Sequence, residues 1–319
     1  MDTKAQRRIL VVDDEPNIVS VVKRELSAPP QGRYRYEVEG FTEPLLALER
    51  AKTQSFDLVI SDYRMPVMDG LTFLKAFLEL QPDCATIVLS GWTDMDALIE
   101  MVNRTHIFRF IPKPWHDYFL KGSIAQALDY NGVMLETKRL AAQVLERKIE
   151  IPPLAGGIDQ IIIVDSNEAV LEQLAQQISS FNKMDKLYSS IRQEILEQTP
   201  YALNEDKINV HTTTSPAYAL NVADDLTFSC LLTAYKLPQM NGIDLLRGFA
   251  DKQPDCAGFL IGEISMDNLI SAVDVHIFGV FHDPLKETLY LKSSLAQALM
   301  RRRMMIENRV LAEMLRSAQ

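Results

Sequence analysis

Leu58-Val59-Ile60-Ser61-Asp62 is an apolar run that ends on a carboxylate, and beyond Tyr63-Arg64-Met65-Pro66-Val67-Met68-Asp69 the pattern from Gly70 to Leu80 is helical. A short, almost purely apolar run reads as a strand covered by helices on both faces, as in a parallel sheet. The same unit recurs on either side. Ile9–Val12 leads to Asp13-Asp14 and a helical stretch at Asn17–Leu26, and Arg35–Phe41 leads to one at Glu43–Thr53. Thr86–Leu89 leads to Ser90 and a helical stretch at Asp94–Arg104, and Phe108–Ile111 leads to Lys113. Strands alternating with helices predict an α/β fold with a doubly wound, five-stranded parallel sheet, whose functional groups gather at the carboxyl ends of the strands.

The chain repeats itself. Gln81-Pro82-Asp83-Cys84-Ala85 returns unchanged at Gln253-Pro254-Asp255-Cys256-Ala257, and Ala125-Gln126-Ala127-Leu128 at Ala296-Gln297-Ala298-Leu299. His106-Ile107-Phe108 returns at His276-Ile277-Phe278, and Ile9–Asp13 matches Ile161–Asp165. The offset grows from 152 to about 172 residues, which places an insertion between Ser180 and Val210. A period this long makes each copy a whole domain, so the sequence predicts a tandem duplication. The expected parts are a first domain over residues 1–128, a helical linker over 129–157, a second domain over 158–298 and a C-terminal helix over 299–319.

Length and composition agree with two soluble cores: 319 residues, 47% hydrophobic and 24% charged. No run approaches the ~18 apolar residues of a membrane span, and Met1–Arg8 lacks the apolar segment of a secretory signal. Three cysteines, Cys84, Cys230 and Cys256, form no disulfide framework, which fits a reduced, cytoplasmic setting. A net charge of −10 argues against general nucleic-acid binding, which requires a basic face.

Asp13, Asp14, Asp62, Ser90 and Lys113 all follow strands and converge at one sheet edge. Three carboxylates repel one another, and a hard divalent cation with oxygen ligands resolves the repulsion. A carboxylate beside such an ion can attack a phosphoryl group, with the lysine and the metal neutralising charge. Val12-Asp13-Asp14-Glu15, Ser61-Asp62-Tyr63-Arg64-Met65-Pro66-Val67-Met68-Asp69-Gly70, Leu89-Ser90-Gly91 and Phe110-Ile111-Pro112-Lys113-Pro114 together resemble the receiver domain of two-component response regulators, with its flavodoxin-like fold, over about residues 7–128.

The resemblance implies that Asp62 is the phospho-acceptor. It implies that Asp14, Asp62 and the backbone carbonyl of Arg64 bind Mg²⁺ directly and that Asp13 helps through water. Lys113 would pair with the phosphoryl oxygens, Ser90 would turn toward them after transfer, and Phe110 would be the switch aromatic. The Lys113-Pro114 bond would be cis. Arg64 would tune the lifetime of the phosphoryl group or serve as an exposed salt-bridge residue. A sensor histidine kinase or phosphotransfer protein is the implied donor, and the chain itself would be a regulatory protein rather than an enzyme.

The second copy keeps Asp165 but has Ser166 for Asp14, Ala234 for Asp62, Gly262 for Ser90, Val280 for Phe110 and Asp283 for Lys113. It is expected to be a pseudo-receiver, similar in fold and inert in phosphotransfer. Each copy continues into a long helical pattern, about Tyr118–Ile149 and Lys286–Ser317, the first broken only by Asn131-Gly132. Ile306, Val310, Leu311, Met314 and Leu315 form an apolar stripe that either closes an intrachain bundle or joins two chains in a homodimer, with dimerisation slightly favoured. Arg301-Arg302-Arg303 reads as a solvated or acid-facing stretch. Signalling by conformational change through the linker helix is the leading expectation, with an unknown downstream protein. Two alternatives stay open: the regulatory part of a larger enzyme, such as a cyclic-di-GMP enzyme suggested by Lys113-Pro114-Trp115, and a phosphate sink or relay.

Overall fold

In the computed structural model the described residues are 5–27, 34–91, 108–115, 117–149, 158–180, 208–264 and 277–318. The expected helix at 94–104, His106, His276, Pro152-Pro153 and the insertion at 181–207 lie outside them. The chain divides into two compact units, Met1–Leu135 and Glu136–Gln319.

In the first unit β1 (Ala5–Val12), β2 (Tyr34–Phe41), β3 (Leu58–Asp62), β4 (Ala85–Gly91) and β5 (Arg109–Lys113) form a parallel sheet in the order β2-β1-β3-β4-β5. Successive side chains on a strand point to opposite faces, so each strand feeds two cores. Ile9, Val11, Leu58, Ile60, Ile87 and Leu89 meet Val22, Leu26, Leu120 and Ile124 on one face. Leu10, Val12, Val59 and Val88 meet Phe73, Leu74 and Phe77 on the other. The apolar runs therefore mark the doubly covered centre of the sheet. β1 begins four residues earlier than its apolar run, because its polar start is held by ion pairs from Arg7 to Asp57 at 2.8 Å and from Arg8 to Glu37 at 3.1 Å.

Helices Pro16–Ser27, Pro44–Ala51 and Gly70–Leu80 connect these strands. The third begins where the sequence predicts, because Asp69 caps it: one carboxylate oxygen accepts from Leu71 N at 3.0 Å and Thr72 N at 2.9 Å, the other from Thr72 Oγ1. Partial burial pushes the Asp69 carboxyl up, but these hydrogen bonds outweigh it and hold its pKa below the ordinary aspartate value. Asp69→Ala is expected to destabilise the first unit by about 1 kcal/mol at neutral pH. The difference should shrink as pH falls through the lowered pKa of Asp69, since a depressed carboxyl stabilises the fold only while ionised. Denaturant midpoints of the two proteins across an acid series would show it.

The second unit holds β6 (Asp159–Val164), β7 (Ile208–Thr213), β8 (Cys230–Ala234), β9 (Ala257–Ile261) and β10 (Ile277–Phe281), parallel and ordered β7-β6-β8-β9-β10. In chain order this is the connectivity of the first sheet. The repeated pentapeptide has a local cause. Gln81 Nε2 donates to Ala51 O and Gln54 O while its Oε1 accepts from Phe56 N, so one amide fastens the segment leading into β3. Gln253 does the same with Ala223 O, Leu226 O and Phe228 N before β8. A half-buried amide with its donors and acceptor all engaged is costly to replace.

Helix Asp117–Glu146 runs through Asn131-Gly132 without a break, and Asn131 Nδ2 donates to Asp83 O at 2.7 Å. It stops short of the expected Ile149 because Lys148 turns left-handed at φ 54, and Ile149 N closes the end on Val144 O at 3.1 Å. The last helix is Thr288–Ser317. Within the second unit, Leu140, Ala141 and Val144 bury Leu311 and Leu315. The apolar stripe expected to lean toward a second chain is thus covered at these positions from within the same chain. Leu295, Ala298 and Leu299 lie in the core beneath the second sheet, so the last helix is part of that unit well before residue 299. Of the two readings of the arginine run, Arg302 and Arg303 follow the acid-facing one, with an acid of the same chain. Arg303 Nη2 lies 2.6 Å from Asp159 Oδ2, Arg302 Nη1 lies 3.9 Å from Asp159 Oδ1, and both side chains are largely buried.

Cys84 and Cys230 are buried and all three thiols are free. Burial pushes them up, Cys256 to about 12, so none is poised as a thiolate. Among the described residues no helix is long and apolar enough to cross a membrane.

Candidate functional site

β1, β3, β4 and β5 end at one edge of the first sheet, and the register fixes what meets there. Val12 lies opposite Ser61, Asp62 opposite Leu89, and Ser90 opposite Pro112. Asp13, Asp62, Ser90 and Lys113 are therefore each at or one step past a strand end.

Lys113 Nζ is 2.7 Å from Asp13 Oδ2 and 2.5 Å from Asp62 Oδ1, with Glu15 Oε1 at 4.0 Å. Asp62 Oδ2 accepts from Arg64 N at 2.8 Å, and Asp13 Oδ1 from Glu15 N at 3.0 Å. Asp13 and Asp62 are buried, Asp14 is half-buried beside them, and Lys113 is partly buried. Burial pushes the Asp13 carboxyl above the ordinary aspartate value, although Lys113 pulls it back. For Lys113, burial favours the neutral amine, but hydrogen bonds and charge from Asp13 and Asp62 outweigh it and raise its pKa. Lys113 is accordingly a fixed ammonium at the centre of the site. The Lys113-Pro114 peptide is cis, as the resemblance implies.

Ser90 is buried, and its hydroxyl has no hydrogen-bond partner among the described residues. An unpaired buried hydroxyl is costly unless something arrives to bond it. Phe110 occupies the expected place in β5, opposite Val88. Arg64 reaches the site through its backbone. Among the described residues no three His, Cys, Asp or Glu side chains are preassembled around a point that could hold a metal. The structure brings Asp13 and Asp62 together through the ammonium.

Two contributors were not singled out from sequence. Glu15 is the third acidic residue in a row and lies nearest Lys113 from the solvent side. Gly70 is a poor helix former at a helix start, and the reason is steric. Its amide donates to Tyr63 O at 2.9 Å, and a Cβ there would stand 2.0 Å from the carbonyl oxygen of Asp62.

The second sheet carries the corresponding positions in the same register. Val164 lies opposite Thr233, and Ala234 opposite Ile261. This puts Asp165 where Asp13 stands, Ala234 where Asp62 stands, Gly262 where Ser90 stands and Asp283 where Lys113 stands. Asp165 Oδ1 accepts from Asn167 N at 2.8 Å, and burial raises its pKa. Asp283 pairs outward with Lys286 at 3.0 Å. Gly262 adopts φ 115, a conformation that side-chain-bearing residues rarely take.

Comparison with known proteins matches residues 9–125 to the response regulator receiver domain family. The hydrogenase transcriptional regulatory protein HoxA of Cupriavidus necator is 32% identical over 135 residues, covering 42% of this chain and 27% of HoxA. The transcriptional regulatory protein ZraR of Escherichia coli K12 is 26% identical over 164 residues, covering 51% of this chain and 36% of ZraR. The chain thus spans about a quarter to a third of these curated relatives. A crystal structure of a response regulator receiver domain protein from Clostridium thermocellum is 29% identical and covers 38% of this chain and 94% of that one, with a TM-score of 0.34. The family match falls on the same strands whose ends gather Asp13, Asp62, Ser90 and Lys113: residues 9–125 are a response regulator receiver domain.

Proposed function

We propose that the chain is a phosphorylation-controlled signalling protein whose Asp62 accepts a phosphoryl group from the phosphohistidine of a sensor histidine kinase or phosphotransfer protein. The observation that carries this is the Lys113 ammonium bonded to both Asp13 and Asp62, which pins a nucleophilic carboxylate beside a fixed positive charge. One oxygen of Asp62 attacks phosphorus, the P–N bond breaks, and its electron pair leaves with the imidazole nitrogen, which then takes a proton. An acyl phosphate results. Arg64 N holds the second carboxylate oxygen and so fixes which oxygen faces the donor. Ser90, with its unpaired hydroxyl, is placed to donate to the arriving phosphoryl oxygens. Phe110 would follow it as the switch aromatic.

The donor set suits Mg²⁺. Asp13, Asp14, Glu15 and Asp62 set four carboxylates against one ammonium, leaving an excess of hard oxygen donors. Asp14, Asp62 and the carbonyl of Arg64 would hold the ion, with Asp13 acting through water. When bound it supplies charge neutralisation for the incoming phosphoryl group.

The second unit is proposed to be a pseudo-receiver. Without an acceptor at 234, a hydroxyl at 262 or an ammonium at 283 it has no phosphotransfer chemistry, and its role would be protein contact. Output through the helix Asp117–Glu146, cytoplasmic placement, a regulatory rather than enzymatic role and an acidic surface that avoids nucleic acid complete the proposal. HoxA and ZraR are much longer than the matched part, which favours as a second reading the regulatory portion of a larger system.

The test is mass spectrometry after incubation with acetyl phosphate and Mg²⁺. One phosphoryl group should appear on the peptide containing Asp62 and be absent from Asp62→Asn. A gain that survives Asp62→Asn would place the acceptor elsewhere and defeat the proposal.

A further inference from the structure

Within the second unit the ends of the helices Asp117–Glu146 and Thr288–Ser317 lie side by side, joined through Leu140, Ala141, Val144, Leu311 and Leu315. Their relative direction is fixed just past the first helix, where Arg147 Nη1 donates to Leu315 O at 3.4 Å. An antiparallel pair would set Leu140 against Leu315 and carry Arg147 about 10 Å further along the axis. The helices therefore run parallel, with Leu140 level with Leu311 and Val144 level with Leu315. Thr137, Leu140 and Val144 are buried at steps of three and four residues. Leu311 and Leu315 are buried at the same step, and Asn308 Oδ1, three residues earlier, is shielded from solvent. Such steps mark the seam of a parallel two-stranded pair, and a polar layer in it fixes register and strand number. Asn308, Leu311 and Leu315 follow Thr137, Leu140 and Val144 by 171 residues, the offset of the repeat in this region. In a symmetric dimer of identical helices each seam residue faces its own copy across the two-fold axis. Here it faces its repeat counterpart in the same chain. Outward, half-exposed Leu145 stands among the charged Arg139, Glu146, Arg309, Glu313 and Arg316, a surface poorly suited to a third helix.

We infer that the second unit is a dimerisation partner built into the chain: its last helix takes the place of the helix that a second copy would bring, with or without a phosphoryl group on Asp62. The signal is then read within one chain and not by joining two chains along these helices. This rests on the reading of Asp62 as acceptor and of the second unit as a contact domain, and it names the contact. Covalent linkage turns the encounter of the two helices into an intramolecular one, so their pairing is independent of protein concentration.

Leu140→Cys and Leu311→Cys, singly and together, place thiols at one layer of the seam. Val144→Cys and Leu315→Cys, again singly and together, supply a second layer should a variant of the first fail to fold. Each full-length variant would be oxidised before and after treatment with acetyl phosphate and Mg²⁺, beside the unaltered chain with its three free thiols. Non-reducing gels and mass spectrometry identify the linked positions. The double variants should give single chains with a disulfide between positions 140 and 311, or 144 and 315, in a yield that holds over about a hundredfold dilution. The single variants should give no dimer beyond that of the unaltered chain in either phosphorylation state. A disulfide-linked dimer from a single variant in either state would show two chains sharing the seam. Loss of the intrachain disulfide in both double variants would show that the helices are not paired in this register. Either result overturns the inference. Failure of acetyl phosphate to modify Asp62 would instead defeat the acceptor reading, while the untreated samples still decide the seam.

Discussion

Gly70→Ala is expected to destabilise the receiver domain by about 3 kcal/mol or more and to slow phosphorylation of Asp62. The added methyl would stand 2.0 Å from the carbonyl oxygen of Asp62 and 3.0 Å from its carbonyl carbon. Both are backbone atoms of a fully buried strand, so no side chain can rotate away. Relief requires the helix start to lift off β3. That would break the hydrogen bond from Gly70 N to Tyr63 O and displace the turn whose Arg64 N orients the acceptor. Gly132→Ala is the internal control. Gly132 lies inside a helix with nothing within 4 Å of its would-be Cβ. Alanine there should stabilise by roughly 0.5–1 kcal/mol, the ordinary helix preference. Denaturant midpoints of the two variants should move in opposite directions, and a shared direction would contradict the steric account. Gly242→Ala, whose methyl would meet Ala234 O at 2.4 Å, should harm the second unit while leaving Asp62 chemistry intact.

Lys113→Met should cost about 3 kcal/mol at neutral pH and strengthen the local pH response that the raised Asp13 carboxyl already gives. Methionine fills much of the same space but leaves Asp13 and Asp62 buried without a cation. One of the two then favours its protonated form, and its folded-state pKa rises above the unfolded value of about 3.9. Between those two values the folded variant binds more protons than the unfolded chain, so its stability increases as pH falls. Melting temperatures measured from pH 8 to pH 5, on the order of the range over which a strongly raised carboxyl titrates, should therefore converge on those of the unaltered chain from below. A constant gap would show that Lys113 contributes packing rather than charge. Phosphorylation by acetyl phosphate should also fall sharply, because the fixed ammonium that meets the phosphoryl oxygens is gone.

Much of this was legible in the amino-acid order because both cores and the site obey short-range rules. Ile9–Val12, Leu58–Ile60 and Ile87–Leu89 are apolar at every position since both faces of their strands are covered, and runs of that kind announce a doubly wound sheet. The polar residues that interrupt the pattern at strand ends then had to share one edge. Contacts decided by distant partners were harder to read. Arg302 and Arg303 look solvated in a basic run, yet they fold under the sheet to Asp159, more than 140 residues away in sequence. The stripe through Leu311 and Leu315 does not say which surface will cover it, and Leu140 and Val144 provide the answer. Lys148 ends its helix through a left-handed turn that no glycine or asparagine advertised.

Gly262 gives the difference between the two sheets a direction in time. If the second sheet once resembled the first, regaining a hydroxyl there takes more than one codon change. At φ 115 a serine would be strained wherever its side chain found room, so the backbone must first return to an ordinary conformation. Each restorative substitution made alone, at 234, 262 or 283, would confer no chemistry, and the one at 262 would lower stability. Gly242 and Gln253, by contrast, hold the second sheet through contacts that none of these three substitutions would touch.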